Sequence, residues 1–153
     1  QVTYNPVYGY DYGLLVLGTI HADTGTGFGI PDTVLERWNG IDIEGEANLN
    51  TVTIEDAVRG ITVVGGCNAV IDNCTLTNNI AGIHIYGADP LINGCEFNNN
   101  IYGVKEDNNP NPILTDCIFR SNIIDYYHRI LTRVTMAELN ALPGCGNNTG
   151  GGE

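Results

Sequence analysis

The sequence predicts an all-β solenoid: a chain wound into about five or six stacked coils, with a short C-terminal helix and irregular termini. Three observations predict it. Val52, Cys74, Cys95 and Cys117 are spaced by 22, 21 and 22 residues, and the residues around them fall into register. The recurring columns are apolar at alternate positions, the signature of short half-buried strands. The composition, with 20 Gly, one Met and one Trp, leaves few strong helix formers and excludes a helical bundle.

The columns define the unit. Three positions before the Cys column stand Leu49, Ile71, Ile92 and Leu114, and two positions after it Ile54, Leu76, Phe97 and Phe119. Asp56, Asn78, Asn99 and Ser121 follow at four positions, and Gly60, Gly82 and Gly103 at eight, each succeeded by Ile61, Ile83 or Val104. Val63 and Ile85 agree two positions further on, where the third coil carries Glu106 instead. Each unit reads as a strand, a polar turn, a second strand after Gly, a looser turn and a third strand. No coil can bury its inward residues alone, so the coils stack, with strands pairing in parallel along the axis. Asn78 and Asn99 are expected to form a structural ladder at a bend, hydrogen-bonding coil to coil and tolerating a left-handed backbone, and the Gly column is expected to serve a corner.

Taken in order, residues 1–13 form a Tyr-rich N-terminal segment, residues 14–127 the coils, and residues 128–153 a capping helix and Gly-rich tail, one domain in all. LLVLGTIHADTG from Leu14 and WNGIDIEGEANLNTVTIEDAVRGI from Trp38 are the early coils, Gly40 and Ile41 preceding Gly60 and Ile61 by 20 residues. After Phe119 the repeat decays, with Asp125 at the Gly position. Thr135 and Glu138 make a capping-box pattern, predicting a helix near Met136 to Leu142 that Pro143 and Gly144 end. At about 4.8 Å per coil the rod is only about 25–30 Å long.

The pattern, clearest in IDNCTLTNNIAGIHIYGADPLINGCEFNNNIYGV from Ile71 to Val104, resembles the right-handed parallel β-helix repeat family of pectate-lyase-like proteins, as found in bacterial and archaeal surface proteins. The resemblance spans about Leu14 to Tyr127. It implies the fold; the family hosts lyases, hydrolases, adhesins and structural proteins, so it implies no single function.

Eighteen acidic against six basic side chains give a formal net charge of −12, which argues against nucleic acid as a partner. With 16% charged and 42% hydrophobic residues the charge is a sparse coat on a folded chain. No apolar run is long enough for a membrane span, and a start at Gln1 without a basic-plus-apolar leader reads as a mature or excised chain.

Cys74, Cys95 and Cys117 read as a buried ladder of small apolar residues. Cys67, in a turn, and Cys145, in the tail, are the candidates for a disulfide. Asn73 and Asn147 head Asn-x-Thr acceptor triplets, usable for glycosylation only on export. Outward positions of the second strands are Asp42 and Glu44, then Thr62 and Val64, then His84 and Tyr86, then Lys105 and Asp107. His84, Tyr86, Lys105 and Asp107 form a candidate carbohydrate-binding face, with Tyr102 nearby. A lyase would need clustered carboxylates for calcium and a basic residue, and a glycosidase a carboxylate pair. Lys105 and Asp107 match the residue types, but Asp42 and Glu44 lie about three coils, roughly 14 Å, away. No catalytic residue is assigned, and no cofactor is expected. Calcium is the one candidate metal, with His21 and Asp23, Glu55 and Asp56, or Glu106 and Asp107 as ligand pairs.

These readings make the chain an extracellular or cell-surface structural subunit, not an enzyme, which assembles with copies of itself through its termini into a filament, sheath or surface layer. A polysaccharide-binding or polysaccharide-degrading module, and a fragment of a larger β-helix adhesin, are the alternatives.

Overall fold

The computed structural model describes residues 2–4, 13–16, 19–22, 27–28, 37–108, 110–129 and 133–150, the first four segments as backbone alone. Strands stack into three sheets, each drawing one strand from every coil. Sheet 1 holds Gly13–Val16, Gly40–Ile43, Arg59–Val64, Ala81–Tyr86, Tyr102–Asp107 and Ile124–His128 in parallel, with Val2–Tyr4 antiparallel on its first strand. Sheet 2 runs from Thr19–Ala22 through Glu46–Asn50, Ala69–Asp72 and Leu91–Asn93 to Ile113–Thr115. Sheet 3 runs from Gly27–Phe28 through Thr53–Glu55, Thr75–Thr77 and Glu96–Asn98 to Ile118–Arg120 and Thr149–Gly150. The all-β parallel solenoid is therefore as expected. About four turns run between Gly40 and Arg120, where five or six are expected; before them Gly13–Val16, Thr19–Ala22 and Gly27–Phe28 add one strand to each sheet, and after them the rung is partial.

The register puts like residues over like. Leu76 pairs with Ile54 and Phe97, Ile92 with Ile71 and Leu114, and Ile83 with Ile61 and Val104. All of these side chains are fully buried, so each coil completes its neighbour's core. Phe97 and Phe119 stack with ring centroids 4.8 Å apart and planes 13° from parallel, the aromatic version of the same repetition.

The corners carry two left-handed columns. Thr51, Asn73, Gly94, Asp116 and Asn147 have φ between 50° and 60°, and so do Asp56, Asn99 and Ser121, with Asn78 at 61°. The left-handed backbone expected at Asn78 and Asn99 is present, and short polar residues tolerate it best. The ladder itself lies one residue further on. Asn78 and Asn99 are exposed, Asn78 donating to Asp56 Oδ1 at 2.7 Å, whereas Asn79, Asn100 and Asn122 turn inward. Asn100 Oδ1 accepts from the Asn79 backbone N–H at 2.9 Å, and its amide donates to the Leu76 carbonyl at 2.9 Å; Asn122 repeats both bonds one coil later. This ladder satisfies backbone groups that the turn removes from the sheets.

The glycines of sheet 1 answer to proximity more than to the corner. A Cβ on Gly82 would lie 2.6 Å from the Gly103 carbonyl oxygen, and one on Gly103 would lie 2.5 Å from that of Asp125. Only Gly40 of this column has a left-handed φ, of 96°. Asp125 is tolerated at the end of the column because the Gly150 backbone, not a further sheet-1 strand, lies against it.

The C-terminal end is closed. The helix spans Met136–Asn140, its N-terminus fixed by a reciprocal Thr135 and Glu138 capping box, and Leu139 is buried against the core. The Gly-rich tail, expected to be irregular, makes part of a rung: Gly146 bridges Thr115, Asn148 Oδ1 accepts from the Cys117 N–H at 3.0 Å, and Thr149 pairs with Ile118.

Glu106 does not interrupt its strand, but it sits in the core. It is 2% exposed in the column of Ile43, Val63 and Ile85. Its Oε2 and the hydroxyl of buried Tyr126 have no hydrogen-bond partner, and His128 Nε2 lies 3.9 Å from that oxygen. Burial pushes the Glu106 carboxyl above its ordinary value against weaker opposing pulls from Tyr126 and His128.

Two predictions follow from this packing. Asn100→Ala strips a partner from the Asn79 N–H and the Leu76 carbonyl and is expected to cost about 2–4 kcal/mol in urea denaturation; a cost under about 0.5 kcal/mol would contradict the ladder. Because the folded pKa of Glu106 is raised, its contribution is most favourable below 4.5 and is lost as pH rises through the folded value. Glu106→Gln should therefore raise the melting temperature at pH 7.5 and give no gain at pH 4.

Candidate functional site

The four residues expected to form a face do so on the outer side of sheet 1. Alternation along Ala81–Tyr86 and Tyr102–Asp107 sends Ile83, Ile85, Val104 and Glu106 inward and His84, Tyr86, Lys105 and Asp107 outward. Parallel register sets His84 between Thr62 and Lys105, and Tyr86 between Val64 and Asp107. The result is two files of unlike side chains about 4.8 Å apart per rung.

Asp107 binds three of these residues together. Its Oδ2 lies 2.9 Å from His84 Nε2 and 2.9 Å from Lys105 Nζ. Burial works to raise the Asp107 pKa, but the hydrogen bonds from Lys105 and His84 outweigh it and hold the carboxyl below its ordinary value. His84 moves down as well, chiefly through burial, with Lys105 and Arg59 adding repulsion and Asp107 opposing. Near neutral pH this is an ionised carboxylate held between an ammonium and a neutral imidazole. Tyr86, half exposed, offers its ring beside them.

Other candidates lie apart. Tyr102 packs edge-on against Tyr127, with centroids 5.5 Å apart, in register with Ala81 and Ile124 and not with Tyr86. Asp42 is in register with Thr62 and so stands three rungs from Lys105. Asp56 hydrogen-bonds Asn78, and Arg120 pairs with Glu96 on sheet 3. Asp23 lies outside the described residues, as does the side chain of His21. Among the described residues no three His, Cys, Asp or Glu side chains are grouped to hold a metal ion.

Cys74, Cys95 and Cys117 are buried and free, each thiol donating to nearby carbonyls; Cys95 is pushed well above an ordinary thiol by Cys117 and Cys74 and by burial. Cys67 and Cys145 are free as well and are not a disulfide pair. Cys67 donates to the Ile43 carbonyl in the first complete coil, whereas Cys145 packs against Pro112 and Leu114 at the capped end. Asn73 and Asn147 are exposed, both at left-handed corners.

Sequence reasoning missed Arg59 and Thr62, which join His84 on this face. Thr62 is 7% exposed and faces His84 across one rung. Its signal was its place in the outward file, where Thr reads as an ordinary strand residue.

The family model described as "Right handed beta helix region" matches residues 39–135. No curated protein and no solved structure matches the chain. Among the described residues no helix is long and apolar enough to cross a membrane.

The geometry predicts the titration of His84. By NMR its ring should titrate below 6.5, and Asp107→Asn should lower it further by removing the partner that favours the imidazolium. An unfolded ring binds more protons in the window below 6.5, so this group's contribution to stability falls as pH drops through that window. A His84 titration above 6.5 would contradict the burial of the ring.

Proposed function

Because the chain belongs to the right-handed β-helix family, we propose that it is an extracellular module that holds a polysaccharide against the outer face of sheet 1 without cleaving it. The observation that carries this reading is the juxtaposition of a half-exposed Tyr86 ring with the His84, Asp107 and Lys105 group on a flat, regularly spaced ladder. Sugars offer apolar ring faces bordered by hydroxyl groups. An aromatic ring beside fixed donors and acceptors matches both.

Binding fits the face better than cleavage. Hydrolysis by paired carboxylates needs the two groups about 5–9.5 Å apart, and Asp42, in the file beside that of Asp107, is three rungs from Lys105, about 14 Å, and no nearer to Asp107. Asp107 is engaged by two partners on one oxygen, and Lys105 is paired to it. A base waiting for a substrate proton needs a free lone pair, which this ion pair denies to Lys105.

Self-assembly through the termini is the second reading. The capped C-terminal end does not favour it, because the helix and the Thr149–Gly150 strand already occupy the edge that another copy would use. At the other end, Thr19–Ala22 and Gly27–Phe28 are the last paired strands of sheets 2 and 3 among the described residues. An assembly would grow from those edges.

The reading is tested by affinity electrophoresis against a panel of neutral and acidic polysaccharides. Retardation of the native chain, weakened about tenfold (~1.4 kcal/mol) by Tyr86→Ala and by His84→Ala, is expected. No retardation by any glycan, or none lost in Tyr86→Ala, would sink it. Sedimentation velocity separates the second reading, which requires species larger than the monomer.

A further inference from the structure

Three polar atoms on or beside the outer face of sheet 1 are buried and have no hydrogen-bond partner: Arg59 Nε, Thr62 Oγ1 and His84 Nδ1. Thr62 and His84 are neighbours across one rung, Arg59 opens the Thr62 strand, and the Arg59 charge is felt at the His84 ring. A buried polar atom without a partner has given up its bonds to water and received none in exchange. All three lie in the neighbourhood of the ion-paired Asp107, and a polar group brought to them would gain the bonds they lack.

The neighbours determine the chemistry of that group. Asp107 is an ionised carboxylate and only accepts, so His84 Nε2 carries the proton and donates to it across 2.9 Å. The ring is neutral near pH 7, which makes Nδ1 an acceptor. The missing partner must therefore donate to His84 Nδ1. Arg59 Nε can only donate, and Thr62 Oγ1 can do either, so the same partner must also accept. A hydroxyl does both. A carboxylate or phosphate presents acceptors alone, would meet the Nδ1 lone pair, and would stand close to Asp107. An ammonium has nothing to accept with.

We propose that Thr62, His84 and Arg59 form a subsite for an uncharged sugar hydroxyl, which donates to His84 Nδ1 and accepts from Thr62 Oγ1 or Arg59 Nε. The polysaccharide held on this face is then neutral and not a polyuronate. This rests on the reading of sheet 1 as a glycan-binding face and names its ligand class. The atoms are enclosed in the unliganded chain, so the hydroxyl enters only as the side chains around them move; the long side chain in register with His84 one rung on is Lys105. Its charge, with those of Asp107 and Arg59, surrounds the ring, so protonating His84 removes the acceptor and weakens binding.

The test compares hydroxyethylcellulose and galactomannan, both neutral, with polygalacturonate, using the full chain and isothermal titration. A neutral probe is expected to bind at pH 7.5 and to weaken at least tenfold as pH falls through the His84 titration. Thr62→Val, which keeps the shape and removes the hydroxyl, should weaken it about tenfold while leaving the melting temperature unchanged or higher. In the native chain, the 15N resonance of His84 Nδ1 should move from that of a bare acceptor toward that of a hydrogen-bonded one on adding the neutral probe. Preference for polygalacturonate, or neutral binding indifferent to Thr62→Val, overturns the subsite and leaves the glycan-binding reading standing. Binding of neither class overturns both.

Discussion

Everything in this molecule depends on in-register stacking of one coil on the next at the spacing of a parallel sheet, about 4.8 Å. At that distance every side chain is packed chiefly against the residues at its own position in the coils on either side. Apolar columns follow, because an inward residue is dry only if its neighbours in the column are too, as from Leu49 to Leu114. The glycine column follows as well, since the Gly60, Gly82 and Gly103 backbones lie too close to the next coil's carbonyl oxygens for any Cβ. The Asn79, Asn100 and Asn122 ladder is the polar counterpart. An amide side chain has the donor and the acceptor that a turn's unpaired N–H and carbonyl require, and stacking supplies them at the right interval.

The same constraint explains why the ends look different. A terminal coil has a neighbour on one side only, so its columns can change identity. Asp125 replaces Gly, Tyr126 continues the Ile and Val column, and Asn148 stacks on Cys117 in place of another thiol. Glu106 is placed in the core one rung before the last, where Tyr126 and His128 of the final strand lie against it. The acid–base groups of the core and of the outer face pull stability in opposite directions with pH. Glu106 favours the folded chain when protonated, whereas His84 favours it when neutral and Asp107 when ionised.

Much of this was legible in the sequence, because a repeat states its own register. The columns through Val52, Ile54 and Leu49 appeared as soon as the cysteines were aligned, and alternation from them placed His84, Lys105 and Asp107 on one outer face. The Thr135 and Glu138 pair announced the capping helix. The inward Asn ladder was misplaced by one residue for a physical reason. At a left-handed corner the alternation of strand faces is reset, so in Asn78-Asn79 and Asn99-Asn100 the first residue turns out and the second in. Ala57, one place after Asp56, was the signal: a small apolar residue in the second column is hard to reconcile with an exposed ladder. The rung made by Gly146 to Gly150 was hidden because its partners lie about thirty residues back in the chain and its own sequence reads as loop.

Departure from a column is where a solenoid carries information beyond its own stability. The Cys column is uniform and buried, and its thiols are occupied with carbonyls, so its chemistry is that of packing. The outward file of sheet 1 runs Asp42, Thr62, His84, Lys105 and Tyr127, with no two residues alike. Stacking gives no reason for that variety, since a file of Thr or Val would satisfy the strands equally well. Nor does solubility, which any charged residue serves and which the net charge of −12 already secures. What the variety does produce is a local balance, with Lys105 set against Asp107 and a neutral His84 beside Thr62, on a chain that is otherwise strongly acidic. Such a patch sets Lys105 and Arg59 against Asp107, so it does not turn a polyanion away by charge, and its selectivity comes from the donors and acceptors around His84. Its complement is a ligand recognised by hydrogen bonds and ring contact, and the unpaired atoms of Thr62 and His84 lie where that complement would begin.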